Sequence, residues 1–215
     1  MGDPEHLAKL KQGVKAWNTW REDNPNTIPN LSRMDLSKAN LKGAFLVGAN
    51  LEEVSLERAN LEMAILWQAN LGKSNLWRAN LEGADLLEAK LSDAELIRAN
   101  LKGACLLGAD LKEASLAGSS LQRADFWKAN LVRVNLYRAN LEKAILWRAN
   151  LEGANLAEAK LKGAVLWKAR LVGALNLSVE QLFKVKTIHG AELDEKLRLE
   201  VERECFHILN EPKGR

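Results

Sequence analysis

Residues 78–86 read RANLEGADL, and the same five-residue phrase continues on both sides of that stretch without a gap. From Leu31 to Leu171 every fifth position gives 29 sites, of which 28 are Leu and the remaining one is Phe126. Two places before each stands a small residue. From 34 to 169, 23 of 28 such sites are Ala, the exceptions being Met34, Val54, Ser74, Ser119 and Val134. Between the two lies most often Asn or Asp. An internal repeat this regular governs the whole reading.

A period of five excludes the usual elements. On an α-helix five residues turn by about 500°, so successive leucines would advance by about 140° and spread around the cylinder. On a straight strand an odd period would send alternate leucines to opposite faces. The period suits a chain that bends once per repeat and keeps Leu and Ala inward. Such a chain closes into a coil, and the coils stack through backbone hydrogen bonds. The outward positions count the sides. Among residues that follow a Leu, the class Val47, Trp67, Leu87, Leu107, Trp127, Trp147, Trp167 is apolar throughout, and the class Lys42, Glu62, Glu82, Lys102, Gln122, Glu142, Lys162 never is. Both classes have a period of 20, which a three-sided coil would scatter. Four sides and about seven coils predict an all-β solenoid about 34 Å long.

With these residues in view, the stretch 31–175 resembles the pentapeptide repeat proteins, whose A(D/N)LXX consensus it follows almost throughout. The resemblance implies a right-handed quadrilateral β-helix. It also implies a range of functions, because the family is functionally mixed. Some members look like B-DNA in shape and charge and protect type II topoisomerases from quinolone drugs. Here the repeats carry 20 basic and 16 acidic residues, which is the wrong sign for a DNA mimic.

The flanks read as α-helical caps, giving three segments: 1–30, a helical N-terminal cap and turn; 31–175, the repeats; 176–215, a helical C-terminal cap or tail. Residues 5–22 place Leu7, Leu10, Val14 and Trp17 at near-helical spacing, with Gly13 a weak point and Trp17 or Trp20 set over the lumen. At the other end Ser178 and Gln181 form a capping-box pattern opening a short helix over 178–186. Asp194 then suits the cap of a second helix, with Leu197, Val201, Cys205 and Ile208 as its stripe. His6, His189 and His207 all fall in these flanks, outside the solenoid.

Composition narrows the function classes. A chain that is 47% hydrophobic and 27% charged is expected to be globular and soluble. Its net charge of +3 is too mild for a general nucleic-acid binder. Two cysteines a hundred residues apart suit a reducing, cytoplasmic setting, and the resemblance points to bacteria. No run of apolar residues is long enough for a signal or membrane segment. No HExxH, Walker, GxGxxG or Ser/His/Asp pattern appears, so an enzyme, a cofactor, a metal and a small-molecule substrate are not expected.

What remains is surface. The candidate partner interface is the apolar side: Phe45, Val47, Ile65, Trp67, Leu87, Leu107, Trp127, Ile145, Trp147, Val165 and Trp167, interrupted by Asp85 and Asp125. Trp is the residue most enriched in binding hot spots, which points to a protein partner or a homodimer. On the opposite side Arg58, Arg78, Arg98 and Arg138 form a weaker candidate for an anion, beside Trp77, Ile97 and Tyr137. There the stems of the arginines are also suited to covering apolar neighbours. Cys105, outward on the apolar side with no cation beside it, reads as inert. The sequence points to a non-catalytic scaffold, with a topoisomerase-protecting protein or a purely structural repeat as alternatives.

Overall fold

The structure, a computed structural model, describes residues 2–204 and 208–209. The repeats build a β-helix with four sides in each coil. Parallel bridges join residues 20 apart, from Asn30 with Asn50 through to Asn155 with Leu175. Each bridge is one residue wide, and two amides serve it. Between Phe45 and Ile65, for example, Ile65 N–H donates to Ala44 O at 3.0 Å and Leu46 N–H donates to Ile65 O at 2.7 Å. The ladder is therefore strong through repetition rather than through strand length.

The corner is a turn in which the Leu carbonyl accepts from the amide three residues on, as Ala69 N–H does to Leu66 O at 3.0 Å. The residue before that amide has a left-handed backbone, which marks a type II turn. Every fifth residue from Arg33 to Gly173 adopts it; nine are Gly, and the other twenty have φ between 52° and 61°. An L-residue in that region costs about 1–2 kcal/mol. Coils bonded above and below each corner hold it there. The preceding Asn or Asp helps in two ways. Asn100 Oδ1 accepts from Lys102 N–H at 3.2 Å, and its Nδ2 donates to Asn80 Oδ1, one coil away, at 2.9 Å. The column Asn40, Asn60, Asn80, Asn100 is thus tied along the axis until Ser120 interrupts it.

The inward Leu and Ala side chains fill the lumen almost entirely out of solvent, and Phe126 is 0% exposed among them. The ends need separate treatment, because a stack of coils leaves unpaired amides and carbonyls. At the start stand α1 (Pro4–Lys11) and α2 (Val14–Asp23). The single helix expected over 5–22 is broken at Gly13, whose φ of 103° suits only glycine. From α2, three side chains take the place of a missing coil. Trp17 Nε1–H donates to Phe45 O at 2.9 Å, Asn18 Oδ1 accepts from Phe45 N–H at 2.9 Å, and Arg21 donates to Val47 O at 3.2 Å. Trp17 is fully buried, while Trp20 is half-buried against it with ring centroids 5.1 Å apart.

After Leu175 the chain makes a detour through α3 (Val179–Leu182), shorter than the segment read as helix but opened by the expected Ser178–Gln181 capping box. It then rejoins the stack. Thr187 bridges Val165 and Glu192 bridges Arg170, now 22 residues apart instead of 20. Ile188, 1% exposed, takes the place of a Leu, and Gly190, at φ 66°, is its corner. This corrects the reading of His189 as lying outside the solenoid: a two-residue longer path hides a further repeat. Then α4 (Glu195–Glu204) buries Val201. Asp194, expected to cap it, turns its carboxylate on the free Gly173 N–H at 3.1 Å. Cys205 and His207 lie outside the described residues.

Candidate partner-binding side

The side built on Leu46, Leu66 and their equivalents carries the apolar column. Its C-terminal half is a stack of indoles. Trp127 and Trp147 lie 5.3 Å apart at 17°, Trp147 and Trp167 5.1 Å apart at 10°, and His189 meets Trp167 edge-on at 6.0 Å. The coil spacing imposes this near-parallel stacking, since identical rotamers on successive coils superimpose. The histidine is thus an eighth rung that sequence reading missed. Its signal was there: Ile188 and Leu193 keep the five-residue spacing, with Ala191 two before Leu193.

Toward the start the column is flatter. Val47, Leu87 and Leu107 are half-buried, and Trp67 is 45% exposed. Phe45, Val47 and Ile65 join Arg21, Glu22 and Pro25 around a groove of about 250 Å³. Of the flanking candidates, Val165 is half-buried and Ile145 is 38% exposed. All eleven expected interface residues therefore share one side. Cys105 sits among them half-buried. Burial pushes its thiol up, a bond from the Leu107 amide works against that, and the Asp85 and Asp125 carboxylates on adjoining coils push it further up. Such a thiol is poorly nucleophilic at neutral pH.

Sequence reading also passed over the corner column beside the indoles. Lys128 lies 5.0 Å from the centroid of Trp127, Arg148 6.0 Å from Trp147 and Lys168 5.9 Å from Trp167. Among the described residues, none of the three is in an ion pair. Sorting the second residue after each Leu by twenty would have revealed the column.

The opposite side disperses its arginines. Arg58 and Arg78 both lie over Trp77, at 5.0 and 4.4 Å from its ring centroid. Arg138 lies over Tyr137 at 4.8 Å and pairs with Glu158 at 2.7 Å. Arg98 is exposed and extends over Gly118. Its four arginines share a column, but two are committed to Trp77 and one to Glu158. The remaining sides carry ion pairs between coils, such as Lys42–Glu62 at 2.8 Å and Lys102–Glu82 at 3.2 Å. Among the described residues no helix is long and apolar enough to cross a membrane, and no cluster of potential metal ligands occurs.

Comparison with known proteins agrees with this geometry. The pentapeptide repeat model matches residues 30–68, 69–108, 109–148 and 149–178 in eight copies. Among solved structures, a trypsin-treated variant of QnrB1, a plasmid-mediated fluoroquinolone resistance protein, is similar at TM-score 0.67 and 18% identity. The match covers 80% of this chain and 91% of that one. Full-length QnrB1 is similar at TM-score 0.66 and 16% identity, over 79% and 88%. HetL of Nostoc sp. strain PCC 7120, a pentapeptide repeat protein involved in heterocyst differentiation regulation, is 27% identical over 81% and 89%, at TM-score 0.43. No curated protein matches the chain. The repeats, their four-sided stacking and the family match leave one conclusion: the chain belongs to the pentapeptide repeat family.

Proposed function

We propose that the chain is a non-catalytic scaffold that binds a protein through its tryptophan side. The observation that carries this reading is the apolar column unbroken from Val47 to Trp167 on one side of four, with Trp67 of that column 45% exposed and Ile145 beside it 38% exposed. A side needed only for stacking would have no cause to differ from the other three, since all four share the same bridges and corners. Trp127, Trp147 and Trp167 present a rigid surface whose side-chain freedom the stacking has already removed, which lowers the entropy cost of binding. The reading needs no cofactor, and two cysteines a hundred residues apart suit a cytoplasmic setting for it.

The test is light scattering coupled to size exclusion, together with affinity capture, on wild type, Trp147→Glu and the Trp127→Glu/Trp147→Glu pair. Association is expected to disappear in the variants while the circular dichroism of the coil persists. Association at wild-type strength would overturn the reading. A second reading, protection of a topoisomerase, draws on the likeness to QnrB1. The excess of basic over acidic residues in the repeats opposes it. A gyrase supercoiling assay in the presence of a fluoroquinolone is expected to show no protection.

A further inference from the structure

Resting on that reading, we infer that the occupant of the tryptophan side is a second copy of this chain, docked antiparallel about a two-fold axis. Charge along the side is graded. In the corner column Glu88 lies in the first half, and Lys128, Arg148 and Lys168 lie in the second. The apolar rungs are graded too, from aliphatic to indole, with Trp67 the exception. A surface polarised along its length is complementary to itself only when reversed.

Isologous pairing offers two arrangements. With the two-fold axis along the solenoid, the chains run parallel and each coil meets its own copy. Glu88 then meets the partner's Asp85, and the indoles of Trp127, Trp147 and Trp167 butt against identical indoles. With the axis across the side, between the rungs of Leu107 and Trp127, the chains run antiparallel and each column meets itself in reverse. This register overlaps all eight rungs from Val47 to His189. It sets Trp127 against the partner's Leu107 and Trp147 against the partner's Leu87, filling large against small, and leaves one indole pair, Trp167 against the partner's Trp67. It also sets Arg148 against the partner's Glu88, twice by symmetry. Arg148 is free to respond, since among the described residues it is in no ion pair.

The size is adequate. Eight coils at about 4.8 Å and five residues at about 3.3 Å give a side of about 38 by 16 Å, or about 600 Å² per chain. Two such sides bury about 1,200 Å² in all, the lower limit for a specific interface, so a dimer of moderate strength is expected. Opposed charges near its centre then decide the register.

The experiment is a charge exchange, read by light scattering and by analytical ultracentrifugation over micromolar to hundreds of micromolar protein. Wild type is expected to dimerise. Arg148→Glu and Glu88→Arg, both at exposed positions, are each expected to weaken the dimer at least about tenfold. An equimolar mixture of the two, with opposite charges restored at both contacts, is expected to form the heterodimer. A wild-type monomer throughout the range overturns the inference. The broader reading of the side then stands or falls on whether Trp147→Glu loses a captured protein. A wild-type monomer that binds a mixed-sequence oligonucleotide through Arg148 overturns it in favour of an anionic partner. A dimer unaffected by either substitution, or a mixture that stays monomeric, overturns the register.

Discussion

The tryptophan side and the arginine side share one backbone, one set of bridges and one Leu lumen, yet they treat the same residue types differently. On the first, indoles stack on indoles, and the cations over them have no carboxylate partner among the described residues. On the second, Trp77 draws both Arg58 and Arg78 over its ring, and Arg138 is neutralised by Glu158. The contrast shows that in this molecule outward character is decided by two positions per repeat. Those are the residues whose side chains stay out of the lumen, while their backbones form the corners and bond to the next coil.

The largest effect should ignore the contrast. Leu86→Ala, beneath the tryptophan side, and Leu96→Ala, beneath the arginine side, are each expected to cost about 3 kcal/mol, measured by urea unfolding. Unequal losses would mean that the lumen itself differs between sides. Next come the outward rungs. Trp147→Ala breaks two stacked contacts and is expected to lose about 2 kcal/mol. Trp77→Ala breaks two cation–π contacts and should lose about 1 kcal/mol. Equal losses, read as shifts in melting temperature, would erase the difference drawn above.

Within the arginine side, Ser74 replaces the usual Ala, and its buried hydroxyl has no partner among the described residues. Ser74→Ala is therefore expected to stabilise by about 1 kcal/mol in the same unfolding assay. The smallest effect is electrostatic. The hydrogen bond from Arg138 holds the exposed Glu158 carboxyl below the usual range. The stability this adds is present above the ordinary Glu pKa and is lost as pH falls through the lowered value in the folded protein. Comparison of Glu158→Gln with wild type across that acidic window, at low and high salt, should show a small difference that salt removes.

The backbone was legible in the sequence because each coil constrains Leu and Ala alike, so one nine-residue stretch already states the pattern. The apolar side was legible for a related reason: sorting by twenty recovers any column. Two things escaped. The corners carry residues other than Gly, mostly Arg, Lys and Glu, at twenty left-handed positions where turn chemistry would call for Gly, so their conformation is set by the stack and not by the local residue. The repeat at Ile188 escaped because a two-residue excursion through α3 shifts its register and Ile stands for Leu. At the start of the stack the spacing did set Trp17 or Trp20 over the lumen, but it holds no sign of the bonds that Trp17, Asn18 and Arg21 make to Phe45 and Val47.

The bridge spacing has a consequence for how such a molecule can change length. Removing 20 consecutive residues from the middle, such as 91–110, shortens the stack by one storey and returns every later side chain to its own side. Removing five leaves the coil equally well bonded but turns everything beyond it by a quarter. Trp127, Trp147 and Trp167 would then stand around the corner from Val47 and Trp67. The surface behaves as a text with a frame of twenty, written on a backbone with a frame of five, and a deletion silent in one can be a frameshift in the other.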